Sequence, residues 1–460
     1  MRKGIISFLF IFCSLGIFAQ DIVGDWNGAL NVQGTKLHLV FHFKNDNGAY
    51  KGTLDSPDQS AKGIPLSSVS FKDSLVNAQI TSMMIDYSGK WDGKAIKGTF
   101  KQAGMTFPLD LEAGEIVVNR PQEPKAPFPY KAEEVTFKNE KAGITFAGTL
   151  TYPKEKGIYP AVVLITGSGP QNRDEELFGH KSFLVIADYL TRQGIAVLRF
   201  DDRGTGKSGG AFKGATTTDF ATDVQAAVNY LQGRTEINKK KIGLVGHSEG
   251  GIIAPIVAST DKNISFIVLL AGPGVSGDKI IIQQTKDLAG DSMPEAEKDK
   301  LVKVPADCFK ILSQYPGESA RAELEKYFKD NKDSVFAYQK VPVDHQQDYV
   351  NGMIKQFMDP WSRCFLSLDP VTYLTKVHCP VLALNGTKDR QVNADINLTE
   401  IRKALKIAGN KNFQTMSIIG LNHMFQECKT GMTTEYASIE QTFSPQALEL
   451  IGKFISDVTK

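Results

Sequence analysis

The sequence predicts two folds in one chain: a small all-β domain, then a mostly parallel, doubly wound α/β sheet interrupted by a helical insertion. Three observations carry this. Over residues 21–115, glycine, threonine and alternating apolar positions recur, with turn residues every ten or so. Beyond a proline-rich stretch, near-continuous apolar runs alternate with helical ones, which is what a parallel sheet buried on both faces requires. A block of charged, Lys/Glu-rich sequence that is helical in pattern then breaks the alternation before it resumes.

Residues 1–20, MRKGIISFLFIFCSLGIFAQ, place Arg2 and Lys3 before an apolar run over 5–18 that ends at Ala19-Gln20. This reads as a secretory signal peptide, too short to span a bilayer comfortably. The expectation is an exported protein, periplasmic or secreted, with no stable membrane span after cleavage. Residues 21–118 read as the all-β domain, a barrel or sandwich. Its run KLHLVFHF (36–43) sets Leu37, Leu39, Phe41 and Phe43 on one face, and His38, Val40 and His42 on the other. The two histidines lack a third ligand nearby, so they read as solvent-facing and no metal is expected. NRPQEPKAPFPY opens a stiff linker, 119–131, that forms neither helix nor central strand.

The α/β domain is predicted over 132–460. Strands are read at 159–167, 195–200, 241–246, 264–272, 379–386 and 413–419. Helices are read at 180–194, 218–234, 250–259, 394–408 and 445–457. The insertion at 275–375 reads as a helical cap. With 42% hydrophobic and 23% charged residues, composition is that of an ordinary globular protein. Net charge is +2 with no basic block, which gives no reason to expect a nucleic-acid partner. Cys308, Cys364, Cys379 and Cys428 lack metal-ligand spacing and read as small buried hydrophobes.

KIGLVGHSEGG (241–251) carries the most chemistry. A buried strand runs into Gly246-His247-Ser248-Glu249-Gly250 and a helix follows at once, the arrangement of a nucleophile elbow. A serine there needs a base, and the base needs an orienting carboxylate, in chain order Ser, Asp, His. Asp389 follows a strand in VLALNGTKDRQV, and His423 follows the next in SIIGLNHMF. His247, inside the elbow, is expected to point away from the serine's pocket, and His180 to begin a helix. LITGSGPQNRDEE (164–176) supplies a Gly-rich turn, so the backbone N–H groups of Ser168 and Glu249 are the expected oxyanion donors. Trp361, Phe365 and Leu366 of the cap read equally as pocket lining or cap core. A second G-x-S-x-G, at 206–210, is set aside because Ser208 lies eight residues past its strand and no helix follows. The same stretch is no phosphate loop, because Asp201 stands where that motif needs glycine.

From about residue 130 onward the chain resembles bacterial α/β-hydrolases of the serine aminopeptidase-like, S33-type esterase group. GSGPQNRDE, FDDRGTGKS, GHSEGG, DPVTYLTKVHCPVLALNGTKD and GLNH fall in the order such enzymes show. The resemblance implies Ser248 as nucleophile, Asp389 as acid and His423 as base, with no metal or cofactor. It implies that DDRGTGKS braces the active-site wall. Thr166 is a departure, since many members carry histidine before the glycine. The expected reaction is hydrolysis of a small carboxylic ester through an acyl-enzyme. An aminopeptidase or amidase remains open, as does an acetyl or feruloyl esterase whose β domain would bind glycan.

Overall fold

In the computed structural model the described residues are 21–460, apart from 33–34, 58–60, 103, 115–118, 340–342 and 344–345. Residues 1–20, predicted to be a signal peptide, lie outside them. The chain forms two compact units that divide after residue 117.

The first unit is all antiparallel. Its strands are β1 (Gly24–Val32), β2 (Thr35–Asp46), β3 (Ala49–Ser56), β4 (Ala61–Pro65), β5 (Ser68–Lys72), β6 (Leu75–Ile80), β7 (Ile85–Trp91), β8 (Ala95–Gln102), β9 (Met105–Pro108) and β10 (Leu111–Ala113). They pair in the order β4-β3-β2-β1-β10-β8-β7-β6-β5, with β9 on β8. The end strands β4 and β5 are joined by Leu66-Ser67, whose N–H groups donate to Gly52 O and Gln79 O on opposite sides. The sheet therefore curls back on itself, barrel-like. The alternation in β2 works as read: Leu39, Phe41 and Phe43 are buried with Trp26, Tyr87 and Phe100. His42 departs from the solvent-facing reading, because its ring sits between Asp25 (2.6 Å) and Asp55 (3.2 Å).

The second unit is built on an eight-stranded sheet. Its strands are β11 (Lys131–Asn139), β12 (Ile144–Tyr152), β13 (Tyr159–Ile165), β16 (Ala196–Phe200), β17 (Ile237–His247), β18 (Ile264–Leu270), β19 (Val381–Gly386) and β20 (Phe413–Ile418); β14 (Glu176–Leu177) and β15 (His180–Lys181) form a separate short hairpin. The order is β11-β12-β16-β13-β17-β18-β19-β20. All pairs from β16 to β20 are parallel, and β11 and β12 extend one edge antiparallel. The edge pair was not legible as strands. In β11 the apolar positions only alternate, as suits a half-exposed edge.

Helices cover both faces, because the central strands are apolar on both. α1 (Ser182–Arg192) packs Phe183, Ile186 and Leu190 on one face. α2 (Thr217–Gln232) and α3 (Gly250–Ala258) cover the other through Val224, Val228, Ile253 and Val257. Between β18 and β19 the insertion forms α4 (Gly277–Leu288), α5 (Glu295–Gln314), α6 (Gly317–Asp330), α7 (Lys332–Gln339), α8 (Gln346–Met358), α9 (Pro360–Ser367) and α10 (Val371–Leu374). Val304, Cys308, Phe309, Leu324, Phe328 and Phe357 give it a core of its own. After β19 come α11 (Ala394–Ile407), α12 (Thr433–Tyr436) and α13 (Pro445–Val458), the first and last of which return to opposite faces of the sheet. This is the α/β-hydrolase arrangement with a helical cap. No described helix is long and apolar enough to cross a membrane.

The proline-rich stretch is strapped to this unit. Arg120 donates to Ile439 O and Ala437 O at 2.7 Å each, and Gln122 bonds Thr442 and Phe443. His180 begins no helix. It sits in β15, fully buried, with Nε2 3.0 Å from Tyr436 O.

Phe146 of β12 is fully buried between Phe137 and Phe200. Phe146→Ala should cost about 3–5 kcal/mol, read as a lowered unfolding midpoint in denaturant; an unchanged midpoint would contradict this packing.

Candidate active site

Three parallel strands deliver three side chains to one edge of the sheet. Ser248 follows β17, Asp389 follows β19 and His423 follows β20, all at carboxyl ends. Ser248 has φ +52°, a conformation costly for a side-chain-bearing residue. The turn is possible because of its glycines. A Cβ on Gly246 would lie 2.0 Å from Gly250 O, one on Gly250 2.3 Å from Ile165 O, and one on Gly251 2.5 Å from Gly272 Cα. The serine thus stands on a forced crossing between β17, α3 and the end of β13.

His423 Nδ1 lies 2.8 Å from Asp389 Oδ2. The other carboxylate oxygen accepts the N–H groups of Gln391 and Val392 at 2.8 Å each, which fixes the carboxylate plane. A ring that donates through Nδ1 keeps its lone pair on Nε2, the state of a general base. Ser248 Oγ makes no hydrogen bond among the described residues. What links the serine's strand to His423 is His247, whose Nε2 is 2.9 Å from His423 O. Its ring lies 4.8 Å from that of His423. The expectation that His247 turns away from the serine's pocket left this role unseen.

The loop after β13 forms the opposite wall. Gly167 stands so close to Ser248 that a Cβ there would be 3.1 Å from Ser248 Cβ. The N–H groups of Ser168 and Glu249 have no acceptor among the described residues, which leaves them available for an oxyanion. The loop is held from below. Thr166 Oγ1 donates to Asp202 Oδ1 (2.8 Å), Gln171 N–H to Asp202 Oδ2 (2.9 Å) and Gly167 N–H to Glu175 Oε1 (3.1 Å). The Gln171 side-chain amide holds Ser168 O (3.1 Å).

The DDRGTGKS segment supplies this bracing. Arg173 grips Asp201 through its backbone N–H and two guanidinium nitrogens at 2.8–3.1 Å. Lys207 N–H bonds the same carboxylate, which lies so close to Gly206 that a Cβ there would be 2.5 Å away. Ser208 is a staple: its hydroxyl donates to Asp201 O (2.7 Å) and accepts Ala147 N–H (3.0 Å).

A narrow crevice of about 60 Å³ opens on Ser248, lined by Ser168, Glu249, Ile280, Phe365, Val392 and Trp361 among others. An open groove of about 590 Å³ adjoins it, sharing Ser168 and Trp361 and adding Phe212, Lys213 and Asp359. Trp361 and Phe365, stacked at 5.0 Å, are therefore pocket lining. Leu366 is not; it packs into the core of the cap, because α9 turns it to the opposite side.

Glu249 is the carboxyl among the crevice's lining residues. Burial pushes it above the usual carboxylate range, against the hydrogen bonds that Thr217 (2.6 Å) and Trp361 (2.9 Å) donate to Oε1. Asp202 keeps some solvent contact, yet desolvation outweighs the bonds from Thr166 and Gln171 and, with Glu249 and Glu175 nearby, raises it to about 8. No group of three or more metal-binding side chains occurs among the described residues.

Comparison with known proteins places this site in context. Residues 180–427, more than half of the chain, match the family described as serine aminopeptidase, S33. The match includes Ser248, Asp389, His423 and the cap, and leaves the oxyanion loop outside. Among curated relatives, esterase EstD of Thermotoga maritima is 25% identical over 288 residues, 60% of this chain and 57% of its own. The uncharacterized protein PA2218 of Pseudomonas aeruginosa is 32% identical over 148 residues, 31% of this chain and 38% of its own. The chain thus spans less than two thirds of either. Among solved structures, an esterase of Pyrococcus furiosus, Pf2001, aligns at 19% identity with a TM-score of 0.44, covering 75% of this chain and 99% of that one.

Gly246→Ala drives a methyl group into Gly250 O, so the turn must open or the protein lose stability. The variant should lose at least about 1–3 kcal/mol of stability, read as a lowered unfolding midpoint; unaltered unfolding would contradict the crossing.

Proposed function

The chain belongs to the serine aminopeptidase, S33, family of α/β-hydrolases, and from that premise we propose that it is a serine esterase acting through an acyl-enzyme. The observation that carries the proposal is the 2.8 Å contact of His423 with Asp389, at the same sheet edge as Ser248 on its strained turn.

In the acylation step His423 Nε2 takes the Ser248 proton as Oγ attacks the ester carbonyl. The carbonyl oxygen becomes an oxyanion that accepts the N–H groups of Ser168 and Glu249, each worth about 2.7–4 kcal/mol in comparable sites. Asp389 steadies the imidazolium. Collapse breaks the bond to the alcohol, which leaves with the proton held by His423. Water, deprotonated by His423, then attacks the acyl carbonyl; collapse breaks the bond to Ser248 Oγ, which takes the proton back from His423 as the carboxylic acid leaves.

Esters are favoured over aminoacyl substrates by the placement of Glu249. A peptidase that reads a free amino terminus needs a charged carboxylate in the pocket. Here Glu249, the carboxyl lining the crevice, is buried with its Oε1 engaged by Thr217 and Trp361, and Asp359 lines only the outer groove, where it accepts Trp361 N–H. The confined crevice with Ile280, Phe365 and Val392 suits a short acyl group, and the wide groove beyond Trp361 suits a bulkier alcohol.

Ser248→Ala should reduce hydrolysis of p-nitrophenyl acetate or butyrate at least about 10⁴-fold while leaving the unfolding midpoint within a degree or two; retained turnover would refute the assignment. Across acyl chains of rising length on one alcohol, kcat/KM should fall steeply beyond butyrate. It should change little across alcohols of rising bulk, and aminoacyl anilides should be poor substrates. Preference for a long acyl chain, or for the anilides, would overturn the substrate reading.

A further inference from the structure

We propose that His247 and Glu175 are a buried positioning pair that locks the base and the oxyanion loop to the nucleophile's strand, and that the lock requires His247 to carry both ring protons. This rests on the triad assignment above.

The geometry ties three elements together. Glu175 Oε1 accepts Gly167 N–H (3.1 Å) from the loop that presents Ser168. The same oxygen lies 2.8 Å from His247 Nδ1, one residue before the nucleophile. His247 Nε2 lies 2.9 Å from the carbonyl oxygen of His423, the base. Both side chains are almost fully buried, Glu175 at 1% and His247 at 4% exposure, so water does not compete. Glu175 itself adopts φ +48°, a strained conformation kept at a point where its carboxylate serves two elements.

Hydrogen-bond chemistry sets the charge. A carbonyl oxygen only accepts, so Nε2 must carry a proton, and a carboxylate beside Nδ1 asks for a proton there too. Neutral imidazole has one proton and satisfies one of these contacts. The charged and titratable groups facing the ring are Glu175 from the loop after β13, His423 after β20 and Asp389 after β19. Burial alone would depress the imidazolium; the Glu175 carboxylate, its hydrogen bond and the His423 carbonyl outweigh it and hold the pKa above the ordinary histidine value. The pair is a neutral unit overall, which keeps net negative charge away from the oxyanion.

Glu175→Gln keeps an acceptor for Gly167 N–H and His247 Nδ1 and removes the charge that holds the second proton. In that variant His247 should discharge within or below the ordinary histidine range, near 6.5. One of its two contacts is lost as pH rises. The ratio of kcat for Glu175→Gln to kcat for the unaltered enzyme, on p-nitrophenyl acetate, should fall roughly tenfold from pH 5 to pH 8. His247→Asn should show a kcat about 100-fold lower at every pH, with KM changed less than threefold. A flat Glu175→Gln ratio, as a neutral His247 beside a protonated Glu175 would give, overturns the proposal, as does wild-type kcat in His247→Asn. Should His247→Asn fail to fold, the near-isosteric Glu175→Gln still decides. If Ser248→Ala is inactive and the ratio is flat, the pair alone is refuted; an active Ser248→Ala refutes the triad itself.

Discussion

The active-site edge of the second unit depends on one backbone crossing. Gly250 must pass the end of β13 so closely that a Cβ on it would sit 2.3 Å from Ile165 O, while Gly246 abuts Gly250 in the same turn. That contact puts Ser248 at φ +52° and also places the residues after Ile165 over the serine. The positions of the loop after β13 and of Ser248 are thus two consequences of one close approach. The positions that cannot carry a side chain hold the site together more firmly than any single hydrogen bond.

Charge management is the second constraint. Glu175, Asp202 and Glu249 all lie around the loop and turn that would hold an oxyanion. Three carboxylates there would oppose the charge that develops in acyl transfer, with effect magnified in a poorly solvated site. The structure answers each one separately. Glu175 is matched by His247, Asp202 is raised by its surroundings, and Glu249 is buried beneath Thr217 and Trp361. Glu175 and Asp202 act as braces, and Asp389 is the carboxylate that meets His423.

What was legible in the sequence follows from how local each signal is. The central strands announce themselves because each is apolar on both faces, and the elbow because strand, turn and helix are contiguous. Asp389 and His423 could be picked by strand order, since a parallel sheet brings carboxyl ends to one edge. β11 was missed because an edge strand buries only alternate residues and its apolar signal thins accordingly, and β12 because its buried run is filled with Thr, Ala and Gly as well as Phe and Leu. Glu175 was hidden in RDEE, which reads as a solvated charged run; its burial arises from a partner 72 positions later. Trp361 and Leu366 lie on one short helix, and only tertiary packing decides that the first faces the crevice and the second the core of the cap. The staple made by Ser208 was invisible for the same reason, though its failure as a nucleophile was not.

The central claim is that one hydroxyl is activated by one imidazole. Reaction of the intact protein with a fluorophosphonate, followed by peptide mass spectrometry, measures this directly. The account predicts a single adduct on Ser248 that is lost or slowed at least a thousandfold in His423→Ala. An adduct on another residue, or labelling that is indifferent to His423, would contradict it.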